Sequence, residues 1–333
     1  MKIVFFEIMP GEKDSLVSLL PHDHTYEFHE EALSESTTHL AAGAHIVSVF
    51  VKSLVDASVL SRLSTVKLIA TRSMGVDHID IAAANARGVH VRNVTTYASH
   101  PVAEFTFALL LAVTRRLYHA YNQLRDGSNF DIRGLKGYTL FGKKIGVLGT
   151  GRIGKNVISI ARGFGMDVLA FDEHPDLSLE HDGAIHYAPL ADVVAMSDIL
   201  TLHVPYTPTT HHLINKETFA TMKRGVILVN TSRGEVIDTH ALVTALRDGT
   251  VWGAGLDVLE GERQLHDEAT AVGPDAQNID YSLLAANHVL IDMPNVIVTP
   301  HIAFETVEAV REIDRATAES IINFIDHKEQ TYL

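Results

Sequence analysis

Residues 149–154 read Gly-Thr-Gly-Arg-Ile-Gly, between an apolar run at 144–148 and a stretch of helical pattern that opens at Arg152. A strand that passes into a helix over three glycines leaves few architectures open. The helix must cross back over the sheet to reach a neighbouring parallel strand. The rest of the sequence has the matching rhythm. Runs rich in Val, Ile and Leu recur at 144–148, 166–171, 199–204, 226–230, 251–258 and 295–299. Helix-length stretches at 152–164, 216–222 and 239–247 separate several of them. This alternation predicts a parallel sheet with helices on both faces.

The first hundred residues alternate too, with strand-like runs at 3–8, 46–51, 68–71 and 89–94. They predict a second, smaller α/β unit. Residues 305–326 have a helical pattern and no strand after them, so they are expected to return to that smaller unit. A chain of 333 residues also exceeds what one core usually holds. The predicted fold class is therefore α/β, with two Rossmann-like domains built on doubly wound parallel sheets. Residues 1–99 and 300–333 would form a discontinuous substrate (catalytic) domain, and 100–299 the nucleotide-binding domain. Residues 102–113 are apolar nearly all round, and Pro101 suits a first helical turn. A helix without a polar face must be covered on all sides. A subunit interface is the expected cover, with burial between the domains as the alternative. The stretch at 263–293 reads as a long surface excursion.

Charge and composition exclude several roles. The formal net charge of -14 repels phosphate backbones, which argues against nucleic-acid binding. With no cysteine there is no disulfide, thiolate metal site or cysteine nucleophile, which suits the cytoplasm. The apolar run at 3–9 is short for a signal-peptide core and is followed by Pro10-Gly11-Glu12-Lys13, so it reads as a strand. The apolar stretch at 102–113 is about half a membrane span and contains Glu104, so no membrane location is expected. His211-His212 and His22-x-His24 are pairs without further ligands at metal spacing, so no metal is expected among the 20 histidines.

The glycine turn has the G-x-G-x-x-G spacing, and the next strand ends in Asp172, eighteen residues past the last glycine. That is the context of a dinucleotide site. Gly149 permits the tight turn, Gly151 removes a side chain from the path of the pyrophosphate, and Gly154 lets helix and strand pack closely. The amides of Arg152 and Ile153 face the anion at the helix N-terminus. Asp172 can accept from the ribose hydroxyls. A 2′-phosphate there would meet a like charge, so NAD is expected over NADP.

Three other strand ends carry polar residues. They are Asn230-Thr231-Ser232-Arg233-Gly234, the segment from Asp257 to Glu262 with Glu260 and Glu262, and Thr299-Pro300-His301. In an open parallel sheet, ligands bind beyond these ends. Hydride addition to a ketone leaves charge on oxygen, so a proton donor is needed. A histidine can give and recover the proton, and a carboxylate beside it stabilises the imidazolium. An arginine can grip a substrate carboxylate or carbonyl through paired N–H donors.

With the segment Thr71-Arg72-Ser73-Met74-Gly75-Val76-Asp77-His78-Ile79-Asp80 and with Leu202-His203-Val204-Pro205, these motifs resemble the D-isomer-specific 2-hydroxyacid dehydrogenases. Within that family the chain is most similar to the fermentative D-lactate dehydrogenases, over residues from about 67 to 305. The resemblance implies reduction of a small 2-keto acid, pyruvate, to the D-2-hydroxy acid. His301 would be the general acid/base. Glu262, five residues past Asp257, would be its partner in preference to Glu260, and Arg233 would orient the substrate. The amides of Met74 and Gly75 would hold the substrate carboxylate. Asp257, His203, Val204 and Pro205 would lie along the nicotinamide half, with Thr231 and Ser232 also on the cofactor. Tyr97 and Phe304 match aromatic positions that close a methyl-sized pocket. The expected assembly is a homodimer, or a tetramer. The side chains about Met74 and Gly75 leave open a larger 2-keto acid, branched, aromatic or phosphoglycerate-like. NAD(H)-sensing corepressors of the superfamily keep a similar site, but this sequence shows no disordered tail or basic patch.

Overall fold

A computed structural model describes residues 1–127, 130–181, 185–267, 279–328 and 332–333. The chain forms two compact units, residues 1–98 with 305–333, and residues 99–304. The second crossing thus falls five residues later than the expected one at 300. The cause lies in Asp257. Its carbonyl accepts from His301 N at 2.9 Å, and its carboxylate accepts from Ile302 N at 3.0 Å and Ala303 N at 2.8 Å. His301 and Phe304 therefore belong to the larger unit and not to the smaller one, where they were expected.

The smaller unit holds a five-stranded parallel sheet of β1 (Lys2–Phe5), β2 (Thr25–Phe28), β3 (Ile46–Val49), β4 (Leu68–Thr71) and β5 (His90–Asn93), in the order β2-β1-β3-β4-β5. The inner strands β3 and β4 are buried at every residue, which is why their sequences read as unbroken apolar runs. The helix Val307–Ile325 packs on the Glu12–Leu19 helix and on β4. It seats Ile321, fully buried, on Ile3, Phe5 and Leu68. Burial of one such side chain is worth about 1.5–3 kcal/mol. This apolar stripe brings the C-terminal segment back to the smaller unit. At the end of β4, buried Arg72 pairs with Glu12 at 2.8 Å and donates to the carbonyls of Phe6 and Glu7 at 2.7 and 2.9 Å. The loop that carries Met74 and Gly75 starts from this anchored residue.

The larger unit holds a seven-stranded parallel sheet of β6 (Lys144–Leu148), β7 (Asp167–Phe171), β8 (Ile185–Tyr187), β9 (Ile199–Leu202), β10 (Val226–Asn230), β11 (Val251–Leu256) and β12 (Val296–Val298). Its order is β12-β11-β10-β9-β6-β7-β8, so the chain direction across the sheet reverses between β6 and β9. Such a switch point opens a crevice at the carboxyl ends of the strands. The helix Ser99–Thr114 buries Val102, Ala103, Phe107, Leu109, Leu110 and Val113 against the Arg152–Gly163 helix and against β10 and β11. Much of its apolar surface is thus covered within its own unit, because a parallel sheet presents apolar faces on both sides. A narrower stripe of Pro101, Phe105, Leu111 and Ala112 is only partly buried, and Ala108 is exposed.

The stretch at 263–293 is not a surface excursion throughout. Tyr281–Asp292 is a helix capped by the Asp280 carboxylate, and it buries Leu284, Ala286, Asn287 and Leu290. Residues 268–278 lie outside the described residues. Among the described residues, no helix is long and apolar enough to cross a membrane, and no group of three or more metal-ligating side chains occurs.

Candidate active site

The glycine turn sits at the switch point. Gly149 has φ 92°, and a Cβ there would stand 2.6 Å from the His203 carbonyl oxygen, so glycine is required twice over. The turn after β6 is thereby pressed onto the segment that follows β9. A Cβ on Gly154 would stand 2.0 Å from the Gly149 carbonyl oxygen, which leaves only glycine for this close packing of helix on turn. Gly151 differs, since a Cβ there would meet nothing within 4 Å. As N-cap of the Arg152–Gly163 helix, it makes no side-chain bond to the first amides. Open space before uncapped amides at a helix N-terminus fits a pyrophosphate. Asp172 stands beyond β7, half-buried, and accepts from Thr150 N at 2.6 Å. Burial opposes its charge, but the bonds from the His174 and Thr150 amides and the Thr150 hydroxyl prevail and hold its pKa below the ordinary value.

His301 and Glu262 meet at the far side of the same sheet edge. His301 Nδ1 lies 2.8 Å from Glu262 Oε1. With Nδ1–H donating to the carboxylate, Nε2 is left for a substrate. Burial opposes ionisation of Glu262, yet the hydrogen bond and charge of His301, with Arg233 nearby, outweigh it and lower its pKa. The alternative carboxylate, Glu260, is engaged elsewhere, with Oε1 2.7 Å from His212 Nε2. His301 has φ 57°, a left-handed conformation that costs a non-glycine residue about 1–3 kcal/mol. Asp257 pins it there. Its buried carboxylate takes the Thr299 hydroxyl at 2.6 Å as well as the amides of Ile302 and Ala303. The Asp257 side chain thus holds the histidine loop.

Arg233 is positioned by a loop that closes on itself. Asn230, fully buried, accepts from Ser232 N at 3.0 Å and the Ser232 hydroxyl at 2.8 Å, and its amide donates to the Arg233 carbonyl at 2.8 Å. Thr231 shares a 3.0 Å hydrogen bond with Thr106 on the Ser99–Thr114 helix. A Cβ on Gly234 would stand 2.0 Å from the Leu259 carbonyl carbon, so this loop lies directly on the turn that presents Glu262. Sequence reasoning did not single out Glu235. Burial raises its pKa, and the charges of Glu262 and Glu260 add to that while Arg233 opposes it. No motif marked this acidic group, because it arises from contact between two loops. His203 is placed between Gly149 and Thr201, with Nε2 2.9 Å from the Thr201 hydroxyl oxygen. Desolvation of its ring pushes its pKa down to about 3, so the imidazole stays neutral. Val204 beside it is buried and Pro205 exposed.

In the smaller unit, Met74 and Gly75 follow Arg72 on a loop tied at its carbonyls. Asn93 donates to the Met74 carbonyl at 2.7 Å, and the Ser73 hydroxyl to the Gly75 carbonyl at 2.7 Å. Tyr97 is buried within this unit, and Phe304 is partly buried at the end of the larger one.

Residues 107–303 match the profile of the D-isomer specific 2-hydroxyacid dehydrogenase, NAD binding domain. A 2-hydroxyacid dehydrogenase homolog of Schizosaccharomyces pombe is 40% identical over an alignment of 330 positions that covers 97% of this chain and 96% of its own. The D-lactate dehydrogenase of Escherichia coli is 38% identical over 301 residues, 89% of this chain and 88% of its own. The solved structure of D-lactate dehydrogenase from Aquifex aeolicus, complexed with NAD and lactic acid, has a TM-score of 0.86 at 32% identity and covers 98% of this chain and 96% of that one. The glycine turn with Asp172 and the paired histidine and carboxylate have the same reading as these likenesses: the chain belongs to the D-isomer specific 2-hydroxyacid dehydrogenase family and is an NAD-dependent oxidoreductase.

Proposed function

We propose that the chain reduces pyruvate reversibly to D-lactate, with His301 as the general acid/base. The supporting observation is the 2.8 Å pair of His301 and Glu262 on the same sheet edge as the glycine turn. The bound nicotinamide supplies or accepts the hydride at the carbonyl carbon. His301 Nε2 gives its proton to the carbonyl oxygen in reduction and takes it back in oxidation. Glu262 stabilises the imidazolium form. Arg233 holds the keto acid through its planar fork, and the amides of Met74 and Gly75 take the substrate carboxylate. Gly149 and Gly154 shape the turn, Gly151 leaves room for the pyrophosphate, the amides of Arg152 and Ile153 hold it, and Asp172 holds the ribose. Tyr97 and Phe304 limit the substrate side chain to a methyl group. The working form is a homodimer.

The test is NADH oxidation with pyruvate, 2-ketoisocaproate and phenylpyruvate, with the handedness of each product determined. Pyruvate is expected to be favoured in kcat/KM, with the D product. Preference for either larger acid would overturn the pyruvate assignment, and an L product the whole scheme. Reduction consumes the proton of His301 and oxidation requires its absence. The two directions should therefore slope oppositely with pH.

A further inference from the structure

Asp172 does not stand alone at the end of β7. Its Oδ2 accepts from Thr150 N at 2.6 Å and from the Thr150 hydroxyl at 3.0 Å, and its Oδ1 accepts from His174 N at 2.9 Å. The Thr150 hydroxyl has one proton, which goes to Asp172. Its oxygen accepts in turn from the Tyr187 hydroxyl at 2.8 Å. A directed chain thus runs from Tyr187 on β8, through the buried Thr150 of the glycine turn, to the carboxylate. Serial hydrogen bonds of this kind polarise and strengthen one another. Oδ2 is filled by the two Thr150 bonds, so Oδ1 is the oxygen with room for a further donor. The Lys155 ammonium makes its ion pair with Asp176, at 2.6 Å, rather than with Asp172.

We propose that Tyr187 and Thr150 are cofactor-specificity residues, which lock the Asp172 carboxylate where it accepts a ribose 2′-hydroxyl and repels a 2′-phosphate. The proposal rests on the reading of Asp172 as the ribose acceptor. A carboxylate free to rotate could turn away from a phosphate. One held by three donors from two residues, with Tyr187 behind them, cannot. Discrimination therefore depends on two neutral hydroxyls as well as on the charge.

The test measures binding of ADP-ribose and 2′-phospho-ADP-ribose by calorimetry, which needs no turnover, beside KM and kcat for NADH and NADPH. Tyr187→Phe removes one neutral hydrogen bond and is expected to weaken ADP-ribose binding about fivefold. Binding of the 2′-phospho form should hold or improve, and the loss for NADH should fall on KM rather than kcat. Thr150→Val should give a larger change in the same direction, and Thr150→Ser, which keeps the chain, should bind like the wild type. Proportional loss of both ligands in Tyr187→Phe, or a serine variant that behaves like the valine one, would overturn the proposal while leaving Asp172 its role. Asp172→Ala separates the two: an unchanged ratio of the two ligands in that variant removes the ribose acceptor, and the proposal with it.

Discussion

Glu262 is ionised because His301 and Arg233 outweigh the cost of its burial. Its pKa in the fold lies below the ordinary value, so its stabilising effect is complete above the unfolded pKa and is lost as pH falls through the folded one. Protonated Glu262 can no longer support an imidazolium. Pyruvate reduction should therefore show an acid limb below the usual carboxylate range. Glu262→Gln keeps the shape and removes the charge. It should lower kcat/KM for reduction about 10- to 100-fold, the worth of one charge-assisted hydrogen bond, and abolish that limb. A pH–rate profile with the same acid limb in the glutamine variant would assign it to another group. At this scale the sequence, through its resemblance, pointed to the pair by number. It did not show why His301 adopts φ 57° or that the Asp257 carboxylate pins it, because those facts lie in hydrogen bonds between segments more than forty residues apart. Nor did it show Glu235 beside Glu260 and Glu262, which only the contact of two loops creates.

That contact is made by elements, and Gly234 controls it. Its absent Cβ would lie 2.0 Å from the carbonyl carbon of Leu259 and 2.2 Å from the amide of Glu260, both backbone atoms that cannot rotate aside. Gly234→Ala should part the two loops, with a loss of stability of about 1–3 kcal/mol. It should also lower turnover about 10²-fold, since misplacement by about 1 Å can cost that much. Gly163→Ala is the control, because its Cβ would meet nothing within 4 Å. Thermal denaturation beside kcat/KM, both far below the melting point, reads the difference. Equal behaviour of the two variants would deny the contact its role. The strands themselves were more legible. The runs at 68–71, 144–148 and 226–230 coincide with β4, β6 and β10, since inner parallel strands are apolar on both faces. The edge strands β2 and β8 escaped notice. Thr-Tyr-Glu-Phe at 25–28 is partly exposed throughout, and β8 is three residues long. The helix Tyr281–Asp292 was hidden because its apolar side follows a polar stretch with no strand-like punctuation.

At the scale of the molecule, the question is what covers the apolar surface that the larger unit leaves open. The Leu117–Gly127 helix buries none of its residues. It nevertheless carries exposed Leu117, Tyr118, Tyr121 and Leu124, and the segment after it exposes Phe130 at 88% and Ile132 at 82%. A patch of this kind exceeds what a monomer usually shows to water. The Ser99–Thr114 helix, the expected subunit interface, is largely covered within its own unit, and the Leu117–Gly127 helix is the more open of the two. A second copy of this chain is the expected cover. Light scattering should give the wild type about twice the 36.5 kDa of one chain at micromolar concentration. Tyr121→Asp combined with Ile132→Asp should give the monomer mass, because desolvating two carboxylates in an apolar contact costs several kcal/mol. A wild type of monomer mass at tens of micromolar would refute the interface, and a double variant that stays dimeric would move it elsewhere.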